Sequence, residues 1–168
     1  MRYDLIVKAA QNGQEAVSER QFVSSWHYLD TSDMSIEHSL EPMKHLVKSR
    51  EWSWVQEADD STKDVWFNNF WKQRDPTPDT EENELKDEYY QRVAYVSKNF
   101  SVPNFQKAGW DTDRGKIYLK YGAPSNIERR PRSINNPAYE VWSYNSIQRR
   151  FIFEDRADFG DFRLVKVE

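Results

Sequence analysis

Apolar residues recur along this chain in two rhythms. Between residues 40 and 100 they fall at helical intervals, and from residue 139 onward they alternate. Near the start, residues 3–7 and 20–26 flank the polar turn Gln11-Asn12-Gly13-Gln14. An Asn-Gly pair tolerates positive φ at both positions, so this pattern predicts a β-hairpin. A lone hairpin is marginal in water, so it either closes a preceding β domain or joins this domain's own sheet. Residues 28–38 are polar and read as a linker.

The helical rhythm begins with Leu40, Met43, Leu46 and Val47, with Pro42 in a first turn that tolerates a missing N–H. Glu51 to Ala58, carrying Trp52 and Val55, predicts a second short helix. Asp59-Asp60-Ser61-Thr62 supplies the start of a third, with Ser61 and Asp64 spaced as a capping box. Its apolar face is Val65, Trp66, Phe67, Phe70 and Trp71, and Pro76 stops it by forbidding helical geometry to its left neighbour. The stiff turn Asp75-Pro76-Thr77-Pro78-Asp79-Thr80 then leads into a long helix over residues 80–99. Thr80 is its expected N-cap, and acids in the first turns suit the positive end of the dipole. Leu85, Tyr89, Val93, Val96 and Phe100 form its expected buried stripe.

Gly109-Trp110-Asp111-Thr112-Asp113-Arg114-Gly115 follows as the joint between the two rhythms. Thr112 or Asp113 can cap a short helix carrying Ile117, Tyr118 and Tyr121, with Gly122 just past its end and Pro124 beyond. Alternation of Ile117, Leu119 and Tyr121 offers a strand instead. The agreement of cap, glycine and proline favours the helix. Runs at 139–144, 149–154 and 162–167, separated by short turns, predict an antiparallel meander. The fold class is therefore α+β, with helices packed on a small antiparallel sheet of three to four strands.

Composition fits this picture. Seven Trp, nine Tyr and nine Phe in 168 residues mean a core built from rings, each removing roughly 150–250 Å² from water. The chain has no cysteine, which removes disulfides, thiolate chemistry and Cys-ligated zinc. No apolar run reaches the roughly 20 residues of a membrane span, and Asp4, Lys8 and Gln11 interrupt any signal-peptide core. A net charge of −4 with mixed signs argues against nucleic acid, which demands a basic face. The cluster Arg129, Arg130, Arg132, Arg149 and Arg150 is most simply a solvated loop and strand edge.

Candidate chemistry is sparse. No cofactor is implied: GxSxG, Walker and GxGxxG patterns are absent. His27, His38 and His45 lack a zinc spacing, and no metal site is expected. Arg74, Asp75, Asn83, Glu84 and Arg92 lie close to aromatic stripes. They can line a pocket as an acid–base set or anion clamp, or tie the stiff turn to the long helix, with Glu88 and Arg92 as an i,i+4 pair. Trp110, Asp113 and Arg114 can meet a partner or a sugar on a glycine-flanked turn, but capping by Asp113 and stapling of the loop by Trp110 are the ordinary explanation. Glu154, Asp155, Asp158 and Asp161 crowd one end of the meander. Calcium binding or glycoside hydrolysis is conceivable there, but turn formation around Gly160 is the ordinary explanation.

Two segments, taken together, resemble the GWxTD domain family. The first runs from Phe70 to Thr80, continuing through Asn83-Glu84 to Tyr89-Tyr90-Gln91-Arg92-Val93. The second runs from Gly109 to Gly115, continuing through Ile117-Tyr118 and Tyr121-Gly122-Ala123-Pro124 to Glu140-Val141-Trp142-Ser143-Tyr144. Ala123 departs from the family's usual second proline. The likeness covers roughly residues 40–168. It implies an envelope-associated protein of Bacteroidetes or related bacteria, periplasmic or attached to the outer membrane, often with a β-rich domain upstream and with a lipid anchor there possible. Residues 1–38 are then expected to be the end of that preceding domain, and 39–168 the GWxTD-like domain. The resemblance names no activity. With catalytic motifs missing and aromatics in excess, the expected role is a non-catalytic interaction or scaffold module for a protein partner. The alternatives are a carbohydrate- or peptide-processing enzyme using Asp/Glu pairs, and a small-ligand binding module.

Overall fold

The computed structural model describes residues 2–11, 14–23, 35–134 and 136–168. Two strands, β1 (Arg2–Gln11) and β2 (Gln14–Val23), pair antiparallel from Gln11↔Gln14 to Arg2↔Val23. They form the expected hairpin with longer arms. They make a sheet of their own rather than joining the main one. The Asn-Gly turn, His27 and most of the expected linker lie outside the described residues.

The helical layer follows: α1 (Ile36–Leu40), a 3-10 turn (Glu41–His45), α2 (Ser49–Glu57), α3 (Asp60–Lys72) and α4 (Glu84–Phe100). Helix α1 starts inside the expected linker. Asp59, not Ser61, caps α3, its carboxylate accepting the Thr62 N–H at 2.8 Å while the Ser61 hydroxyl donates to it. Phe67, Phe70 and Trp71 are buried, whereas Val65 is 60% exposed. Positions 67, 70 and 71 share one face at 100° per residue, and Val65 lies well off it.

Helix α4 begins at Glu84, four residues later than expected. Asn83 is the cap, its Oδ1 accepting the Lys86 N–H at 2.9 Å. Thr80 closes a separate turn instead, its N–H bonding the Thr77 carbonyl. Tyr89, Val93, Val96 and Phe100 are buried as expected, but Leu85, in the first turn, is 42% exposed.

The joint folds as the favoured helix, α5 (Asp113–Tyr121). It ends at Gly122, whose φ of 75° is a conformation that glycine adopts without strain. The main sheet is antiparallel in the order β3 (Asn126–Arg130), β4 (Ala138–Tyr144), β5 (Arg149–Asp155), β6 (Arg163–Val167). Glu140, Trp142 and Tyr144 of β4 and Phe151, Phe153 and Asp155 of β5 are buried at alternate positions, which places each set on one face of its strand. Trp142 packs on Phe100 and Tyr118, and Tyr121 on Tyr144 and Phe151. A ring-built core therefore fills the space between α4, α5 and the sheet, and runs on into α3 through Trp71, Tyr89 and Tyr90.

Candidate functional site

Each residue of Gly109-Trp110-Asp111-Thr112-Asp113 ties the corner to a different part of the molecule. A Cβ on Gly109 would stand 1.9 Å from the Val96 carbonyl oxygen of α4, and one on Gly115 would stand 1.8 Å from the Gly109 oxygen. Only glycine permits either approach. Trp110 is half-buried against the core. The Asp111 carboxylate accepts from Lys44 Nζ at 2.6 Å and from His45 Nε2 at 3.1 Å, joining the corner to the 3-10 turn. Burial alone would raise the Asp111 carboxyl, but these two partners hold it below its ordinary value. Burial lowers His45 from its usual value, opposed by the Asp111 carboxylate beside it. The buried Thr112 hydroxyl donates to the Gly109 carbonyl at 2.7 Å and accepts the Gly115 N–H at 3.0 Å, capping α5. Asp113, the alternative cap, instead accepts the Leu164 N–H of β6 at 2.9 Å.

Arg114 points into the sheet's end. Its guanidinium lies 4.2 Å from the Phe162 ring centre, donates to the Gly160 carbonyl at 2.9 Å, and meets Glu140 at 3.4 Å. Burial lowers its pKa, opposed by the Glu140 charge. Glu140 is the residue the sequence reading passed over. It also accepts from Arg129 Nε at 2.9 Å and Trp142 Nε1 at 3.0 Å. Its register with Trp142 and Tyr144, two and four residues on, was the signal for an inward-facing acid. Asp155 is buried in the same way and gathers the N–H groups of Asp158, Phe159 and Gly160. Asp161 pairs with Lys107 and Arg163. These carboxylates organise a loop, and no group of three or more His, Asp or Glu among the described residues is placed to hold a metal.

The other candidates divide. Asp75 accepts the Thr77 N–H, and Glu84 receives the Thr77 hydroxyl on both oxygens, which lowers its pKa. Asn83, besides capping α4, donates to the Trp71 carbonyl at 2.8 Å and fastens α4 to the end of α3. Arg74 donates to the Phe70 carbonyl at 2.9 Å, its guanidinium 3.7 Å from the Phe70 ring centre. Arg92 bonds the Leu119 carbonyl at 3.0 Å and pairs with Glu88. The structure brings Arg74 and Arg92 together, and leaves Asp75 in the turn after α3 and Glu84 exposed at the start of α4.

Their meeting place is a groove of about 620 Å³ between α3, α4 and α5. Its floor is Phe70, Trp71, Tyr89, Ile117 and Leu119, with Leu46 and Leu85 at the margin and Arg74, Arg92, Lys116 and Lys120 around it. Lys116 and Lys120 escaped the sequence reading, although their i,i+4 spacing puts both on one helix face.

A family model, the GWxTD domain, matches residues 10–166. The chain belongs to the GWxTD domain family. No curated protein and no solved structure matches it. The signature for which the GWxTD family is named is, in this member, a partly buried corner whose glycine, threonine and final aspartate bind α4, α5 and β6 to one another. Among the described residues, no helix is long and apolar enough to cross a membrane.

Proposed function

We propose that this GWxTD domain is a protein-interaction module of an envelope-associated protein, and that its binding surface is the groove between α3, α4 and α5. The observation that carries the reading is the groove's margin: Leu46 and Leu85, positioned by sequence for a core, are 41% and 42% exposed above an aromatic floor. Apolar side chains gathered in a concave surface are what a partner covers. The alternative of an enzyme working with an Asp/Glu pair needs two carboxyls open to substrate. Glu140 and Asp155 are instead enclosed by guanidinium, indole and backbone donors, which supports binding over catalysis.

The reading is tested by placing a photo-crosslinking benzophenone residue at Leu46 or Leu85 in the protein as expressed in its own cells. Ile147, exposed on the turn after β4 and absent from the groove lining, is the control. A discrete protein adduct from the groove positions and none from Ile147 is the expected result. Silence at both groove positions, or identical adducts from all three, would overturn it.

A further inference from the structure

We propose that the groove receives an acidic amphipathic helix of a partner protein, an inference that rests on the binding-module reading above. The first argument is charge. The lining holds four permanent cations and one carboxylate, Glu88, in a chain whose net charge is −4. Glu88 is taken by Arg92. Among the described residues no carboxylate lies within ion-pair distance of Arg74 or Lys120, and Lys116 reaches only Asp113, at 4.0 Å. A local positive field selects a negatively charged partner.

The second argument is the character of the walls. Three are helices whose main-chain groups are bonded internally, and the remaining segment, His45 and Leu46, closes a 3-10 turn in which the Leu46 N–H bonds the Met43 carbonyl, so the groove offers no strand edge. An extended peptide gains most of its affinity by adding to such an edge, whereas a helix satisfies its own backbone and needs only an apolar groove. Leu85, Tyr89 and Arg92 on α4 and Lys116 and Lys120 on α5 are ridges at i,i+3 and i,i+4 spacing, the surface into which another helix packs. An acyl chain is also apolar, but it favours an enclosed slot, and this groove is half open to solvent.

The test is fluorescence anisotropy on the full chain with a labelled peptide carrying leucines at i, i+3, i+4 and i+7 and glutamates elsewhere. A second peptide has lysine for every glutamate, and phosphatidylglycerol vesicles are a third probe. The acidic peptide is expected to bind and become helical by circular dichroism. Its affinity should fall at least about tenfold in the Lys116→Glu/Lys120→Glu double variant and weaken with salt. Arg74→Gln is the second variant, and the thermal midpoint of each is recorded so that misfolding is not read as lost binding. Equal binding of the lysine peptide, binding to vesicles alone, or self-association that blocks the peptide would each overturn the inference, the last in favour of a second copy of this chain. If no peptide binds while a benzophenone at Leu85 still captures its partner, the acidic-helix inference falls and the module reading stands. If that crosslink is silent too, both fall.

Discussion

Gly109 decides the corner more than any charged residue does. Its α-carbon lies so close to α4 that even a methyl group would overlap the Val96 carbonyl, and backbone cannot swing away as a flexible side chain can. Gly109→Ala is therefore expected to destabilise the fold by about 2–4 kcal/mol, the range of severe overpacking, measured by urea unfolding. An unchanged midpoint would mean that the corner is loosely packed and that its glycine serves something else. Thr112 shows the same economy of contacts, since one buried hydroxyl both donates to and accepts from the turn it closes. A cap at Thr112 or Asp113 was legible from the sequence because capping is local chemistry; the choice of Thr112 was not. The bond from Asp113 to Leu164 was not, because its partner lies 51 residues away.

The same division between local and distant causes governs the elements. Proline and glycine located the end of α5 and the break after α3, and ring periodicity located α3 and α4. The start of α4 was misplaced because Thr80 followed by acids satisfies every local rule for a cap. What overrides them is a tertiary bond from Asn83 to the Trp71 carbonyl, which fixes the cap three residues further on. Strand β3 was illegible for the opposite reason. Asn126-Ile127-Glu128-Arg129-Arg130 is an edge strand with Ile127 its one apolar residue, so no alternation marks it. A pair of variants separates the two jobs of Asn83. Asn83→Asp keeps the capping oxygen and loses the donor to Trp71, while Asn83→Ala loses both. The expected costs are about 1 kcal/mol for the first and about 2 kcal/mol for the second, read as shifts in thermal midpoint. Equal costs would mean that the cap contributes nothing beyond the tie to α3.

At the scale of the whole molecule, buried polar residues and exposed apolar ones have exchanged their usual places, and the exchange separates stability from recognition. Glu140, Asp155 and Thr112 are buried and saturated with bonds, holding α5, the sheet and the loop after β5 together. Leu46 and Leu85 stand at the edge of the groove with Lys116 and Lys120 nearby. The sequence showed that rings would build the core, because their number leaves little else to build it from. It could not show the groove, which forms only when α3, α4 and α5 converge. The most direct test of the separation takes Thr112→Ala and Lys116→Glu/Lys120→Glu in the same preparation and records thermal midpoint beside crosslinking yield at Leu85. The corner variant is expected to melt earlier, by about 1–2 kcal/mol of lost stability, yet to capture its partner at wild-type yield below that midpoint. The groove variant is expected to keep its midpoint and lose the adduct. A corner variant that keeps its stability and loses the adduct would contradict the account, because the signature would then itself be the contact surface.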